Sequence, residues 1–540
     1  MTSKTTFRRL GLGLTAAAAA LALAACAPGG APDPTASAPA DDVERVYIEA
    51  LAQDPNGFNP SFQGGPIPVR LGFMVLGTLV QMTSDYELMP GIAESWDISE
   101  DGLTIQLNIR EGVTWHDGEP FTTDDVIFNF QEIYPLQAQF GKPLAAAIDS
   151  YETPDDSTVI LHMNSVYGPF LEALSQLVVT PKHIYEGTDY LTNPANLAPI
   201  GVGPMKFESF EPGAQVVLVA NDDYWDGRTE VDRAIFPVMT DPAARALALQ
   251  NGELDSAVVD PSAQAQLASN PDLQIMERGF FQQTVAVTFN DRLPELATPE
   301  LRAAVFSAID REAVTELALN GIGSPAQAFF PDSLAWAKSP KVDFSKSFPR
   351  DLPAIEKALD SAGYPRGADG TRFSLDVRYI ESLSDVAAAA EVVQANLAEV
   401  GIAVNLVGSA DPVFQDEVYV NHNFGLSLLR NTVSADPSLG ITRWLTTNPT
   451  GDTKLVNGST VSDAELDAAA AAARTTLDRA DRAEQFHIVQ ERAEQLIFWA
   501  PISWSNGSNN TVNTSRWSNL ADGTTQTNNP PWQEMTWIGG

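Results

Sequence analysis

Apolar and polar residues alternate strictly over residues 103–110. The apolar members of this run are Leu103, Ile105, Leu107 and Ile109. Successive side chains of an extended chain point to opposite faces, so these four share one face and the run predicts a half-buried strand. An acidic turn that ends in Gly102 precedes the strand.

A capped helix is predicted shortly after this strand. Thr122 or Thr123 can cap its amino terminus, and Asp124 and Asp125 place negative charge in the first turn, where the helix dipole favours it. The tetrapeptide Trp-His-Asp-Gly at 115–118 separates strand from helix. We interpret it as a hairpin, because Asp-Gly favours tight turns for backbone reasons alone. A functional site at this tetrapeptide is the alternative.

The same two patterns recur along the chain and predict an α/β fold. Alternating strands are predicted at 43–51, 157–163, 216–220, 235–238, 285–290, 373–379 and 401–406. Helices are predicted at 73–80, 169–177, 241–251, 354–363, 386–400, 463–477 and 481–498. Strand and helix alternate most regularly from 373 to 406, which favours an α/β lobe there. The tail after residue 506 carries only weak local signals.

The amino terminus has the form of a lipoprotein signal. Basic residues precede an apolar stretch at 10–25 that is too short to span a bilayer comfortably, and Leu-Ala-Ala-Cys then ends at Cys26. We expect 1–25 to be removed and Cys26 to carry a lipid anchor; a plain secretory peptide is the alternative. Residues 26–42 are rich in Pro, Ala, Gly and Asp, which predicts a flexible tether.

Length and charge narrow the class of protein. A chain of 540 residues is too long for one core, so two or three domains are expected. The formal net charge is −38, from 70 acidic and 32 basic residues. Such a surface repels phosphate, which argues against nucleic acid as a partner, and it tolerates cationic or zwitterionic solutes.

Several spaced motifs resemble the extracellular solute-binding protein family 5, the peptide- and nickel-binding lipoproteins of ABC importers. The resemblance is carried by residues 94–130, 199–207, 221–227, 252–255 and 299–312. The second of these reads Pro-Ile-Gly-Val-Gly-Pro-Met-Lys-Phe and is similar to the family's P-x-G-T-G-P-Y, and the last is similar to a family helix. The likeness covers essentially everything after the tether.

The resemblance implies a two-lobed fold like that of periplasmic binding proteins of type II, with an extra subdomain inserted in the first lobe. The implied boundaries are 43–81, 197–288 and 499–540 for lobe I, 82–196 for the inserted subdomain and 289–498 for lobe II. It also implies a monomer that captures a peptide-sized solute and delivers it to the permease and ATPase subunits of an ABC importer. The location is then the extracytoplasmic face of the cell membrane, with no cofactor.

Residues 428–437 are implied to decide the ligand. Peptide-binding members resemble W-x-x-D-Y-x-(D/E)-P here, and their first Asp pairs with the α-ammonium of the peptide. Alignment on Asp436 and Pro437 puts Arg430 at the Trp position and Val433 at that Asp position. A buried ammonium without a carboxylate is costly, so capture of an amine at Val433 is in doubt. Either Asp436 substitutes, or Arg430 engages an anionic solute.

Each of these two residues has a structural alternative: a salt bridge for Arg430 and a turn before proline for Asp436. The family also places five other residues at the cleft, and each has core or interdomain packing as its alternative. These residues are Phe58, Asn59, Phe281, Asn290 and Trp504.

Catalytic and metal chemistry have no positive signal. The five histidines are scattered without metal-ligand spacing, and the sequence contains neither a phosphate-binding Walker loop nor a G-x-S-x-G elbow. The sequence therefore predicts a binding protein with no catalytic residue and no metal. A receptor for a carboxylated small molecule or oligosaccharide, and an adhesion or signalling lipoprotein without a transporter, are the alternatives.

Overall fold

The computed structural model describes residues 43–83, 86–276, 282–506, 510–521 and 530–539. The predicted signal peptide, the tether, Cys26 and Phe281 lie outside these ranges. Residues from Glu44 onward belong to one compact unit. It contains two large mixed sheets, here called sheet I and sheet II, and a small antiparallel sheet, sheet III.

Sheet I has seven strands, and the segments that form it are far apart along the chain. Its strands, in spatial order, are Leu273–Ile275, Asn510–Asn513, Ser256–Val258, Val46–Ala50, Arg233–Pro237, Gln215–Ala220 and Met205–Glu211. The first strand, Val46–Ala50, lies at the centre and pairs in parallel with a neighbour on each side. A core that includes Tyr47, Phe236, Trp517 and Trp532 covers this sheet.

Sheet II has six strands. In spatial order they are Ser324–Pro325, Trp499–Asn506, Gln282–Phe289, Leu426–Thr432, Phe373–Ile380 and Ile402–Ser409. Phe373–Ile380 runs parallel to both Ile402–Ser409 and Leu426–Thr432, with the helix Ser384–Glu399 as the crossover. The largest apolar core of the described residues packs on this sheet.

Sheet III lies in the inserted region. Its strands, in spatial order, are Ala93–Ile98, Thr104–Ile109, Thr158–Met163 and Ile148–Asp155. Ile105, Leu107 and Ile109 are buried, as the alternation predicts, while Leu103 precedes the strand and is exposed. The predicted cap is confirmed, because Thr122 and Asp125 form a reciprocal capping box on the helix Thr123–Phe128.

Two further short pairs complete the strands that the structure describes: Val80–Met82 with Leu88–Pro90, and Trp517–Ser518 with Thr536–Trp537. The α-helices are Pro66–Leu76, Thr123–Phe128, Gly141–Ala146, Phe170–Leu174, Lys182–Tyr185, Pro242–Gln250, Pro261–Leu267, Pro299–Ala308, Arg311–Ala318, Phe344–Ser347, Leu352–Ser361, Ser384–Glu399, Asp411–Gln415, Ala464–Arg474 and Arg479–Leu496. Within the described ranges, none of these helices has the length and apolar character needed to cross a bilayer.

The predicted edge between lobes I and II is wrong at two strands. Gln282–Phe289 and Trp499–Asn506 were assigned to lobe I, yet they pair with each other and lie inside sheet II. Gln282–Phe289 also pairs along its length with Leu426–Thr432. Partners this distant in sequence leave no trace in a local pattern, which is why the boundary was misplaced.

Two helix predictions also needed correction. The helix predicted at 73–80 spans Pro66–Leu76 and stops where Gly77 takes a φ of +76°. The single helix implied at 299–312 is two helices, because Ile309 is extended and the Asp310 side chain caps Arg311–Ala318.

The Trp-His-Asp-Gly tetrapeptide forms a turn that clamps a second motif. His116 Nε2 donates to the Gly203 carbonyl at 3.0 Å, and its Nδ1 accepts from the Gly201 amide at 3.3 Å. Burial lowers the pKa of His116 to about 4, so the ring is neutral at pH 7. A Cβ on Gly201 would lie 1.9 Å from the Val75 carbonyl oxygen, which explains the need for glycine there. Both motifs therefore have structural roles here.

Candidate functional site

Several strands of sheet II end at one edge, here called its carboxyl edge. Its three parallel strands, Phe373–Ile380, Ile402–Ser409 and Leu426–Thr432, all end at this edge. In open α/β sheets, ligands bind in crevices outside the carboxyl ends of parallel strands. Gln282–Phe289 begins and Trp499–Asn506 ends at the same edge, so both connections to sheet I depart from it.

A cavity of about 350 Å³ lies at this edge. Apolar walls come from Ile380, Leu383, Leu429 and Leu455. Polar groups come from the end of the strand Leu426–Thr432 and from the short 3-10 helix Ile441–Trp444. A pocket with mainly apolar walls and a few placed polar groups is the usual form of a small-molecule site.

Arg430 is neutralised by a carboxylate. Its Nε donates to Asp385 Oδ2 at 3.0 Å, and its Nη2 donates to Asp385 Oδ1, so the two groups form a bidentate pair. Asp385 lies in the first turn of the helix Ser384–Glu399, where the helix dipole also favours its charge. The salt bridge considered for Arg430 is therefore present, and Arg430 lines the cavity as half of an ion pair. Its contact with a ligand stays a prediction.

Arg443 lines the same cavity without such a partner. In the described ranges, no carboxylate lies within ion-pair distance of its guanidinium, and its Nε has no hydrogen-bond acceptor. The group stacks on the ring of Trp444, 4.9 Å from the centroid. Burial lowers the pKa of Arg443, although the guanidinium stays charged at neutral pH. The positive charge of Arg443 is thus not neutralised inside the described protein.

Two further N–H donors at the cavity also lack acceptors among the described residues. They are Asn431 Nδ2 and Trp444 Nε1, and both side chains are about 3% exposed. Gly440 lets the short helix approach the strand end, because a Cβ there would lie 2.7 Å from the Ser434 amide nitrogen. Buried polar groups are normally hydrogen-bonded, so these donors are candidates for contact with water or a ligand in the cavity.

Trp504 lies in the same cross-strand row as Asn431. Thr284 pairs with Asn431 on one side and with Trp504 on the other, so the three residues share a face of sheet II. Trp504 is buried, and its Nε1 is another donor without an acceptor within the described part of the chain. Its predicted role at the ligand stays a prediction, with this free donor in support.

Asp436 is placed elsewhere. It is fully buried, its Oδ1 accepts from the Ser438 amide at 2.8 Å, and its Oδ2 accepts from Arg482 Nη2 at 2.5 Å. Arg482 is buried as well, and its Nε donates to the Ala473 carbonyl. Asp436 therefore belongs to an internal ion pair and a turn, and it does not line the cavity beside Arg430.

The inserted region reaches this internal ion pair. The Gly168 amide donates to the Arg474 carbonyl at 2.7 Å, and Gln139 Nε2 donates to the Leu439 carbonyl at 3.3 Å. Glu172 lies near Asp436, and burial together with the Asp436 charge raises the pKa of Glu172 to about 7. The pair thus lies where the inserted region meets the helices that follow sheet II.

The remaining predicted wall residues have structural contacts. Phe58 is buried against Phe207 and Phe210, with ring centroids 5.3 and 5.5 Å apart. Asn59 is buried and accepts from the Ser61 amide at 3.0 Å.

Asn290 Nδ2 donates to the carbonyls of His422 and Phe424, at 2.9 and 2.7 Å, which holds the entry to the strand Leu426–Thr432. Neither Phe58, Asn59 nor Asn290 lines the cavity. For these three and Phe281, ligand contact stays a prediction. Within the described ranges, no three His, Cys, Asp or Glu side chains group as metal ligands.

Sequence reasoning missed Arg443 and Trp444, and it included Asn431 only as a member of the range 428–437. One signal was available: no acidic residue occurs between Asp436 and Asp452, in a chain with 70 acidic residues. A cation in so long a gap has no nearby carboxylate along the chain. Asn431 carried no such signal, because its role depends on which strands flank it.

Solved structures share this architecture of two sheets with a cavity at the edge where they join. The substrate binding protein CtaP of Listeria monocytogenes superposes with a TM-score of 0.77 at 24% identity, covering 92% of this chain and 99% of that one. The DppA protein of Helicobacter pylori, solved with the peptide STSA, gives 0.74 at 20% identity, covering 91% and 98%. The fold is the two-lobed α/β fold of periplasmic binding proteins.

The chain belongs to the bacterial extracellular solute-binding proteins of family 5, whose sequence pattern matches residues 87–452. A Brucella ovis protein that carries the name ABC transporter peptide-binding protein is 30% identical over 379 residues, 68% of this chain and 69% of the relative. Heme-binding protein A of Haemophilus influenzae is 27% identical over 67% of this chain and 70% of that protein. The family resemblance stated from the motifs is confirmed.

Proposed function

We propose that this protein is the receptor of an ABC importer, and that it captures a peptide-like solute between its two lobes and delivers it to a membrane permease. The observation that carries the proposal is the cavity at the carboxyl edge of sheet II, with unmet donors from Asn431, Arg443 and Trp444. A relative named for peptide binding and a structural neighbour solved with a peptide support the solute class.

Closure of the lobes supplies the mechanism. A solute that contacts both lobes only when they are closed shifts the population toward the closed state by its differential affinity. Both connections between sheets I and II leave from the edge that holds the cavity, so a bound solute lies next to the axis of closure. The permease then distinguishes loaded from empty receptor by lobe position. This role requires no catalytic residue and no resident cofactor.

A second solute class has its own supporting observation. Val433 is buried in the core of sheet II, and its amide donates to the Gln282 carbonyl at 2.8 Å. Asp436 is committed to Arg482. Neither position offers a free carboxylate for an α-ammonium. A carboxylated solute that is not a peptide is therefore the alternative, with the same receptor role.

Membrane attachment is part of the proposal. Cys26 at the end of the lipobox would carry the acyl anchor, and residues 26–42 would let the receptor move near the membrane face. In cells, a Cys26→Ser variant should lose lipid label and leave the membrane fraction. Retention of that variant on the membrane would contradict acylation at this residue.

The decisive experiment identifies the solute. Protein purified from its host without denaturation is unfolded, and the released small molecules are analysed by mass spectrometry. We expect a peptide or a peptide-like acid in a ratio near one per chain. The purified solute should then shift tryptophan fluorescence, because Trp444 lines the cavity. Absence of any shift or thermal stabilisation across peptide and organic-acid pools would contradict the receptor role.

Transport separates the importer from an adhesion or signalling lipoprotein. A strain without this protein should lose uptake of the radiolabelled solute, and a plasmid copy should restore it. Unchanged uptake in the deletion strain would favour the adhesion role.

A further inference from the structure

Three residues that line one cavity each carry a buried N–H donor that has no acceptor among the described residues. The donors are Asn431 Nδ2, Arg443 Nε and Trp444 Nε1, and all three residues line the 350 Å³ cavity at the carboxyl edge of sheet II. Each unmet donor costs free energy in the empty protein. The cost is removed when a bound group supplies acceptors, and the acceptor best matched to one cation and two neutral donors is an anion.

Charges around the cavity locate the anion more closely. Arg430 is already paired with Asp385, so it adds no net charge. Asp411, also at the cavity, is exposed and accepts from Gln415 Nε2 at 3.0 Å, so its charge is at the rim and screened by water. Arg443 is half-buried with no carboxylate partner in the described ranges. The inner wall of the cavity therefore carries a net positive charge, which comes from Arg443.

The geometry of the donors favours a small planar anion. Arg443 and Trp444 are adjacent on one short helix, with the guanidinium held over the indole, 4.9 Å from the ring centroid. Asn431 is in the strand that faces this helix across the cavity. Apolar walls from Leu429 and Leu455 suit the carbon chain next to such a group. A carboxylate attached to an aliphatic chain fits both parts of this lining.

We propose that the cavity binds a carboxylate of the solute, with Arg443 as the charged ligand-binding residue and Asn431 and Trp444 as its neutral donors. The inference deepens the proposed function, because it rests on this cavity being part of the solute site. The recognised group is an acid, whereas the family resemblance implies an amine-binding Asp at the position of Val433. A peptide carboxyl terminus and a small organic acid share this chemistry.

The test records the indole N–H signals of the full-length protein by ¹⁵N–¹H NMR during titration with acetate. Trp444→Phe identifies the Trp444 signal among the ten tryptophans. We expect that signal to move downfield with acetate and to saturate in the millimolar range, because the N–H gains a charged acceptor. Acetamide has the same shape without the charge, and it should need a far higher concentration.

Arg443→Gln should weaken the response to acetate about 10- to 100-fold, the range for a charge-assisted hydrogen bond. Arg366→Gln is the matched control, since it removes one positive charge from an exposed arginine bonded to the Gly370 carbonyl, before the amino end of Phe373–Ile380. It should respond as wild type does. Equal responses to acetate and acetamide, no movement of the Trp444 signal, or an unchanged response in Arg443→Gln would each overturn the proposal.

A second titration distinguishes the source of the carboxylate. Trialanine and trialanine amide differ only at the carboxyl terminus, and preference for the acid in this pair assigns a peptide end. A response to propionate or glutarate without a response to trialanine assigns a small organic acid. Both results support the carboxylate site. The receptor role can fail independently of the carboxylate site. In that case the acetate response would remain, but the protein purified from its host would contain no solute.

Discussion

Two arginines, Arg482 and Arg443, differ in whether a carboxylate neutralises their charge. Arg482 is buried with Asp436, 2.5 Å from its carboxylate, at the junction with the inserted region. Arg443 lines the cavity at the carboxyl edge of sheet II and has no carboxylate partner among the described residues. The first arginine is satisfied inside the protein. The Nε of the second has no acceptor among the described residues.

The difference separates a structural charge from a binding charge. A buried ion pair is weak evidence for added stability, but removing one partner leaves an uncompensated charge and is strongly destabilising. An unpaired cation beside a cavity has the opposite effect. It lowers the free energy of unfolding of the empty protein, and it raises the affinity for an anionic solute. Four predictions use this contrast, beginning with the largest effect.

Asp436→Asn should lower the free energy of unfolding by about 3–5 kcal/mol, because the buried Arg482 loses the carboxylate to which it is bonded. The amide still caps the turn at Ser438, so the change tests the charge alone. Chemical denaturation measures the loss. Asp463→Asn is the matched control: Asp463 also caps a helix and also accepts from an arginine at 2.5 Å, yet Arg492 is partly exposed.

The control should lose about 1 kcal/mol or less, as surface pairs do. Equal losses in the two variants would show that burial does not distinguish the pairs.

Gly168→Ala should lower the free energy of unfolding by about 1–3 kcal/mol, because it disrupts the contact between the inserted region and the start of the helix Arg479–Leu496. A Cβ at this position would lie 2.3 Å from the Thr476 carbonyl oxygen and 3.0 Å from Arg482 Nε, so the backbone must shift. The melting temperature measures the effect. Gly64→Ala is the control, because no atom lies within 4 Å of its added Cβ. A melting temperature equal to that of the control would contradict the close approach.

Glu172→Gln should stabilise the protein at pH 8 by about 1–2 kcal/mol and leave stability unchanged near pH 4.5. Burial, with the nearby Asp436 charge, raises the pKa of Glu172 to about 7, above its usual 4.5. The folded protein therefore binds a proton that the unfolded chain does not between these values. The cost of the charged carboxylate is full above pH 7 and is relieved as pH falls toward 4.5.

Denaturation across this pH range measures the difference between variant and wild type. Glu300→Gln is a control with the opposite expected sign. Hydrogen bonds from the backbone amide of Glu300 itself and from the Thr298 hydroxyl lower the pKa of the Glu300 carboxyl. Its substitution should reduce stability at pH 8 relative to pH 4. A gain in Glu172→Gln that is independent of pH would show that its carboxylate is not desolvated.

Arg443→Met should have the smallest effect on the empty protein, between zero and about 1 kcal/mol of stabilisation, because an unpaired guanidinium is replaced by an apolar chain of similar length. Arg482→Met, at the buried pair, should instead be destabilising. Calorimetry without added solute compares them. Destabilisation of several kcal/mol in Arg443→Met would mean that Arg443 has a structural role, and the contrast between the two arginines would not hold.

Local pattern predicted much of the secondary structure. The buried face of 103–110, the capping box at Thr122 and the helix that became Ser384–Glu399 follow from periodicity and side-chain chemistry within a few residues. The spaced motifs also predicted the family, which the match over 87–452 confirmed. The sheet to which each strand belongs was harder to predict. Gln282–Phe289 and Trp499–Asn506 belong to sheet II because of partners more than 100 residues away.

Ligand contact at the residues predicted from the sequence stays a prediction, but the structure shows how their charges are paired. The sequence pointed to 428–437 as the region that decides the ligand and to Arg430 as its cation. Only the tertiary structure showed that Asp385, 45 residues earlier, neutralises Arg430, and that Asp436 turns inward to Arg482.

The physical reason is that the composition of a chain determines how many charges it carries, whereas the free energy of each charge depends on which opposite charge the fold brings within about 4 Å. By itself the sequence determined the family and the periodic elements. The fold decided which arginine at the cavity is paired: Arg430 bonds Asp385, and Arg443 has no carboxylate partner among the described residues.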